Sequence, residues 1–214
     1  MSSKAVWAKC LGMAAWLLVP LPALAQPYTP PGRPEISRAP SAPYGYGSEV
    51  ALGGGVMNFA GAAARSLTNV GGSWDLRLAL GTRSVFGVEA AYVGSAQKIS
   101  AAGLDTNANL LGNGAEANLR LNAPMISRNA LFEPFGLVGV GWTHFNVVNS
   151  AHNTSVVRDR DDVVTVPLGF GLAASSGGFM VDARFTYRFT YNDQLLGNAD
   201  MGNWVVSANV GREF

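Results

Sequence analysis

The residues from Phe179 to Tyr191 read FMVDARFTYRFTY and alternate between two kinds of side chain. The odd-numbered positions are apolar or aromatic, whereas the even-numbered positions include Asp182, Arg184 and Arg188. Successive side chains of a β-strand point to opposite sides of the sheet, so this alternation predicts a strand with one apolar and one charged face. Such a strand requires surroundings that differ on its two sides.

The same period of two recurs through the rest of the sequence after residue 47. We predict eight strands, with the spans 48–58, 73–81, 85–97, 114–123, 131–147, 163–174, 179–191 and 203–214. In the second of them, Trp74, Leu76 and Leu78 alternate with Asp75 and Arg77. The fold class that these segments indicate is all-β.

The connections between the predicted strands fall into two classes. Those after strands two, four and six are short turns rich in Gly, Asn, Ser and Pro, at 82–84, 124–129 and 175–178. Those after strands one, three, five and seven are longer and polar, at 60–72, 98–113, 148–162 and 192–202. Short turns alternating with long loops predict an antiparallel up-and-down barrel, with both ends of its chain on the short-turn rim.

Periodicity alone does not say which face of the barrel is outside. A soluble, lipocalin-like barrel would place the apolar face inward around a ligand, whereas a membrane-spanning barrel places it outward. The glycines of strands five and six fall opposite the large apolar residues, at Gly139, Gly141, Gly169 and Gly171. Small residues suit the crowded interior of a narrow barrel, which favours the second arrangement.

The aromatic residues of the apolar face lie near the strand ends, as expected of rings that settle at the two membrane interfaces. Toward the long loops lie Trp74, Tyr92, Trp142, Tyr191 and Trp204, and toward the short turns lie Phe86, Phe132, Phe179 and Phe214. Trp204 and Phe214 are ten residues apart. At about 3.3 Å per residue and a tilt of about 40°, that distance spans about 25 Å of membrane normal. Two such girdles predict a transmembrane barrel.

The composition agrees with a chain that water covers only in part. Of its 214 residues, 14% are charged and 48% hydrophobic. After about residue 25 no apolar run approaches the roughly 18 residues that a membrane-spanning helix needs. The charges form no basic stripe, so nucleic acid is not an expected partner.

The first 46 residues predict export. Two lysines precede an apolar stretch with an A-x-A ending, so residues 1–25 are typical of a signal peptide cleaved after Ala25. Residues 26–46 are rich in Pro, Ser and Gly and predict a flexible arm. The barrel would then occupy residues 47–214. Cys10 falls within the signal peptide, so disulfides and cysteine chemistry are not expected in the exported chain.

Three motifs resemble the outer-membrane β-barrel family typified by the transmembrane domain of OmpA. Pro134-Phe135-Gly136-Leu137-Val138-Gly139-Val140-Gly141 is similar to its glycine-alternating strand. Leu168-Gly169-Phe170-Gly171-Leu172, followed by a turn and Asp182-Ala183-Arg184-Phe185-Thr186-Tyr187-Arg188, is similar to its penultimate hairpin. The third motif is the terminal Phe214, which lies on the apolar face of the last predicted strand. In that family a terminal aromatic residue is part of the signal that the barrel-assembly machinery reads. Arg212 departs from the pattern, since that outward position is usually apolar or aromatic.

The resemblance covers most of residues 48–214 and has consequences for location. It implies a Gram-negative outer membrane, with outer-membrane lipids and the assembly machinery as partners. The short turns and the arm of residues 26–46 would face the periplasm, and the long loops the exterior. We expect the barrel without the peptidoglycan-binding domain that follows it in OmpA.

Ionised residues share the predicted inward face of four strands, at Asp75, Arg77, Glu89, Glu116, Arg120, Asp182, Arg184 and Arg188. Opposite signs in nearly equal number predict ion pairs that fill a lumen only wide enough for side chains. A gated ion path through the same charges is the functional alternative.

Other polar residues give little indication of chemistry. His144 and His152 lie on or beyond the loop end of strand five without a nucleophile motif, so a catalytic triad is not indicated. The carboxylates of residues 158–162 suit calcium, but arginines interleave with them, which favours a self-paired loop. We predict no catalytic, cofactor or metal site.

The expected function is that of a structural or surface-interaction protein, whose barrel anchors loops for envelope integrity, adhesion or recognition of an external ligand. Two alternatives from other classes stay open. One is a small-solute channel, and the other is a lipid A-modifying enzyme.

Overall fold

The computed structural model describes residues 46–126, 131–150, 153–155, 157–191, 195–196 and 199–214. Within this part of the chain the elements are β1 (Ser48–Phe59), α1 (Ala62–Leu67), β2 (Gly71–Leu80), β3 (Phe86–Lys98), β4 (Asn109–Asn122), β5 (Met125–Ile126), β6 (Leu131–Val148), β7 (Arg160–Ser176), β8 (Phe179–Tyr191) and β9 (Asn203–Glu213). The predicted signal peptide, all but the last residue of the predicted arm, and His152 lie outside the described residues.

The eight long strands form one closed ring of antiparallel pairs. Consecutive strands pair along the chain, β4 pairs with β6 across the two-residue β5, and β1 pairs with β9. Backbone bonds hold both ends of the β1–β9 seam: Phe214 N donates to Ser48 O at 2.8 Å, and Ala60 N donates to Gly202 O at 2.6 Å. Closure leaves no long strand with an unpaired edge, and the predicted eight-stranded up-and-down barrel is confirmed.

The β6–β7 ladder is interrupted at one point. Its register runs from Leu131 opposite Ser175 to Val138 opposite Leu168, and resumes where Gly141 faces Thr165. Pro167 lies in the gap. Proline has no backbone N–H to donate, which accounts for the missing rung.

Six of the eight long strands reach further toward the long loops than the sequence pattern indicated, whereas β8 ends and β9 begins at the predicted residue. The largest difference is in β4, which begins at Asn109 rather than at the predicted residue 114. Leu110 points inward here and is buried among apolar residues, so the contrast between an apolar outer face and a polar inner face disappears. A strand without that contrast is not recognised by period-two alternation.

The first long connection contains the short helix α1, which was predicted only as a loop. Its run Ala62-Ala63-Ala64 has high helix propensity. Ala64 lies on the side of the helix that faces the barrel and is fully buried. Thr68 Oγ1 donates to Ala64 O at 2.9 Å and ends the helix. This loop is therefore folded onto the barrel end rather than extended away from it.

Apolar side chains cover the outside of the ring and ionised ones its inside. Leu78 and Phe170 are 55% and 65% exposed, whereas Glu89 and Arg184 are 3% and 4% exposed. The lipocalin-like arrangement, with an apolar interior throughout, does not occur. No helix among the described residues is long and apolar enough to cross a membrane.

The glycines of β6 and β7 allow the interior to close. A Cβ built on Gly139 would lie 2.1 Å from Asn118 Oδ1 and 2.2 Å from the backbone oxygen of Ala117. A Cβ on Gly136, on the outer face of the same strand, would have Gly169 O as its nearest neighbour, at 3.9 Å. The inner wall is thus filled at a position where the outer wall is open.

We predict that Gly139→Ala destabilises the folded barrel by about 1–3 kcal/mol, because the added methyl group overpacks the lumen. Gly136→Ala is the matched control on the opposite face of β6 and should leave stability unchanged. Urea titration in detergent micelles, followed by tryptophan fluorescence, measures both. Equal stabilities for the two variants would contradict the assignment of the faces.

Candidate functional site

Arg184 on β8 lies at the centre of the barrel interior and binds two carboxylates. Its Nη1 lies 3.1 Å and 3.0 Å from the two oxygens of Glu89. On its other side, Nη2 and Nε lie 2.7 Å and 3.1 Å from the oxygens of Asp182. Charge-assisted bonds of this forked kind are the strongest polar contacts a side chain makes, so Arg184 joins β8 firmly to β3 across the lumen.

Two further arginines extend the network toward other strands. Arg77 lies 3.2 Å from Asp75 and 3.8 Å from Glu89. Arg120 lies 3.6 Å from Glu89, 2.9 Å from Glu133 and 3.8 Å from Glu49. Glu89 is therefore shared by three guanidinium groups, which compensates for the cost of burying its charge.

One aromatic ring lies inside this network. Phe135 on β6 points inward, with the guanidinium carbon of Arg120 4.0 Å from its ring centroid and that of Arg184 5.0 Å from it. A cation over a ring face is attracted by the ring's negative quadrupole. Phe135 thus fills the lumen without adding an unpaired polar group.

All eight residues of the predicted charge network lie inside the barrel and are buried. Arg188 pairs with Glu116 above the others, nearer to the loop end. The structure adds three interior carboxylates that the prediction missed, namely Glu49, Glu133 and Glu213. Each lies on the inward phase of its strand, but near a strand end, where the alternation is short and the boundary uncertain.

At the short-turn rim, Glu213 on β9 binds the β2–β3 turn. Thr82 Oγ1 donates to Glu213 Oε1 at 2.9 Å, and Arg83 Nε donates to the same oxygen at 3.0 Å. Asn122 Nδ2 donates to the backbone oxygens of Gly81 and Ser84 at 3.1 Å and 2.9 Å. These bonds tie the β2–β3 turn to strands on either side of it.

The loop end of the lumen is sealed by apolar side chains instead of charges. Phe59 and Phe145 lie in tilted contact with ring centroids 6.2 Å apart. Residues from the last long connection fill the remaining space. The buried cluster consists of Met57, Phe59, Ala64, Ile99, Ala108, Leu110, Phe145, Val157, Val163, Leu195, Leu196, Met201 and Val205.

Backbone bonds join the long connections to one another. Thr154 N donates to Gly103 O at 3.1 Å, and Arg158 N donates to Leu195 O at 2.9 Å. Ser100 N donates to Leu67 O, at the end of α1 in the first connection, at 2.7 Å. The described parts of the four connections therefore pack over the barrel mouth as one layer.

A small cavity lies between the charge network and the apolar cluster. Its volume is about 30 Å³, and its polar lining includes Ser73, Asp75, Arg77, Thr143 and Arg188. That volume accommodates about two water molecules. The charge network therefore fills the interior on one side of this cavity, and the apolar cluster fills it on the other.

The predicted aromatic girdle residues all lie on the outer face. Toward the long loops Trp74, Tyr92, Trp142 and Tyr191 are exposed and Trp204 is half-buried, and toward the short turns Phe86, Phe132, Phe179 and Phe214 are exposed. Arg212 also points outward, with its guanidinium carbon 5.7 Å from the Phe214 ring centroid.

His144 lies on the outer wall of β6, not in the lumen. Its Nδ1 is 2.9 Å from Asp162 Oδ1 on β7, and its ring centroid is 6.2 Å from that of Trp142. In the acidic loop Asn153 Nδ2 donates to Asp159 Oδ1 at 2.8 Å. Among the residues that the structure describes, no three His, Cys, Asp or Glu side chains converge as metal ligands.

Comparison with solved structures finds several matches. The N-terminal β-barrel domain of OprF from Pseudomonas aeruginosa matches with a TM-score of 0.50 and 14% identity, over 78% of this chain and 97% of that domain. Ail of Yersinia pestis, solved with the heparin analogue sucrose octasulfate, matches with a TM-score of 0.47 and 14% identity, over 79% and 99%. Neisserial surface protein A matches with a TM-score of 0.39 and 12% identity, over 79% and 96%.

No protein-family model and no curated protein matches the chain. The likeness to the OprF domain establishes the fold. The resemblance of the sequence to the OmpA-like small barrels is therefore confirmed at the level of the fold.

We predict that Arg184→Leu lowers the free energy of unfolding by about 3–5 kcal/mol, because it leaves Glu89 and Asp182 buried without their main partner. The exposed Arg65→Leu on α1 is the control and should change stability little. Both are measured by reversible urea unfolding in detergent. A wild-type value for Arg184→Leu would show that the network does not stabilise the barrel.

Proposed function

We propose that the protein is a scaffold of the Gram-negative outer membrane, whose closed barrel anchors a joined layer of loops outside the cell. The loops would serve envelope integrity or the recognition of an external partner. The observation that carries the proposal is the filled lumen, with paired charges in its middle and an apolar cluster at its mouth.

The outer surface supports the membrane location. Large apolar side chains cover every long strand, and aromatic residues lie toward both ends of that belt. Exposing such a belt to water would be unfavourable, whereas hydrocarbon solvates it. Hydrocarbon also requires every backbone N–H and C=O group to be paired, and the closed ring of strands meets that requirement. Export through a signal peptide cleaved after Ala25, a periplasmic arm at residues 26–46 and assembly through the C-terminal strand are parts of the same proposal.

The filled interior supports a scaffold over a solute channel. Arg184, Glu89 and Phe135 occupy the middle of the lumen, and Leu195 and Leu196 cover its mouth. A solute path would require all of these side chains to move. A non-catalytic role is part of the same proposal.

The first test combines membrane fractionation with electrophoresis before and after boiling. We expect the protein in the outer-membrane fraction, with the unboiled form migrating differently from the boiled chain because the barrel stays folded in detergent. In planar bilayers we expect no steady conductance. A soluble periplasmic location without a mobility shift would exclude the membrane scaffold, and stable open channels would exclude the sealed lumen.

The orientation predicts which rim meets the exterior. A cysteine introduced in place of Thr106, on a long connection, should react with a membrane-impermeant maleimide on intact cells. A cysteine in place of Val85, at the β2–β3 turn, should react only after the outer membrane is opened. Both positions are exposed, so accessibility within the fold does not separate them. The reverse labelling pattern would show that the barrel is inserted the other way.

A further inference from the structure

One part of the outer wall carries polar side chains next to the aromatic girdle. Strand register gives two adjacent rows of outward residues there. The first row crosses β2, β3, β4, β6 and β7 and consists of Trp74, Gly94, Asn113, His144 and Asp162, and the second includes Tyr92, Ala115 and Trp142. We call Trp74, Tyr92, Asn113, Trp142, His144 and Asp162 the wall patch. All six lie on the outward phase of their strands.

The floor of the wall patch is made of small residues. Ala115 pairs with Tyr92 on one side and with Trp142 on the other. Two strand spacings separate these aromatic residues by about 10 Å, so they form the sides of a shallow notch with a methyl group at its base. Trp74 lies over Gly94, since a Cβ built there would meet the indole ring at 2.1 Å.

The polar groups of the wall patch are held in place by cross-strand bonds. Tyr92 Oη donates to Asn113 Oδ1 at 2.7 Å, which leaves the Nδ2 of Asn113 as a donor. His144 Nδ1 and Asp162 Oδ1 lie 2.9 Å apart, which leaves the His144 Nε2 and the second oxygen of Asp162 for a ligand. Donors and acceptors therefore alternate across the patch.

These groups are accessible from the side of the barrel. Tyr92 and Trp142 are 48% and 49% exposed, and the side chain of Asp162 is 62% exposed. Further down the same wall the outward residues are apolar, for example Leu78 and Val140 in the next row. The wall patch thus begins where the apolar belt ends and faces sideways, toward whatever surrounds the barrel at the level of lipid headgroups.

We propose that the wall patch binds the sugar headgroup of a membrane glycolipid, an inference that rests on the proposed membrane location. Sugar rings present C–H faces that pack on aromatic rings, and hydroxyl groups that both donate and accept hydrogen bonds. The notch between Tyr92 and Trp142 offers the first, and Asn113, His144 and Asp162 offer the second. The one group of the wall patch that can carry a positive charge, His144, is paired with Asp162, so these six residues do not themselves favour a phosphate over a neutral sugar.

The test uses the refolded protein in phosphatidylcholine vesicles that contain a minor fraction of either diglucosyl diacylglycerol or phosphatidylglycerol. After extraction into mild detergent, native mass spectrometry counts the lipids that remain bound. We expect the glucolipid to be retained over both phospholipids. The double variant Tyr92→Phe with Asp162→Ala removes the bonds that hold Asn113 and His144 in place, together with the acceptor oxygens of Asp162. It should lower the preference for the glucolipid about tenfold.

Trp204→Phe, a girdle variant on β9, which β8 and β1 separate from the wall patch, is the matched control and should retain the glucolipid like the wild type. The mobility shift on boiling is recorded for every sample. Failure to insert into any vesicle would overturn the membrane location itself. Insertion with equal retention of all lipids, preferential retention of phosphatidylglycerol, or an unchanged preference in the double variant would each overturn the glycolipid site alone.

Discussion

The contact of Arg184 with Glu89 and Asp182 is the interaction on which the interior depends. Among the described residues, seven carboxylates and four guanidinium groups are buried inside the ring, at Glu49, Asp75, Glu89, Glu116, Glu133, Asp182, Glu213, Arg77, Arg120, Arg184 and Arg188. Buried charges are tolerated only when they are paired and hydrogen-bonded. Here Arg77, Arg120 and Arg184 each bridge carboxylates from different strands, and Arg188 pairs with Glu116. The network therefore fills the lumen and at the same time cross-links the wall.

The remaining architecture follows from where those charges lie. With ionised groups inside, the apolar residues of the same strands must face outward, and a closed ring is the arrangement that leaves no strand edge in hydrocarbon. At the loop end the interior changes from charged to apolar, where Phe59, Phe145 and Leu195 meet. That cluster lets the loops pack down as a layer, so the outer surface of the loops and the wall beside it stay accessible.

The sequence was sufficient for the strand number and order, because β8 and β2 alternate between an apolar face and a face that carries ionised residues. It was insufficient where that contrast fades. Leu110 lies inside an apolar cluster, so the start of β4 was placed too late. Glu133 and Glu213 lie at strand ends, where a few residues cannot establish a phase. The pairing of His144 with Asp162 depends on register between β6 and β7, which no single strand encodes.

The central claim is that the ring presents its apolar residues to hydrocarbon. Spin labels on cysteines replacing Leu78, Val140 and Phe170, in lipid vesicles, test it directly, because oxygen concentrates in hydrocarbon while a nickel chelate stays in water. We predict high accessibility to oxygen and low accessibility to the chelate at all three positions, which are exposed on the outer face. High accessibility to the chelate, or no access for either reagent, would contradict a membrane-spanning barrel.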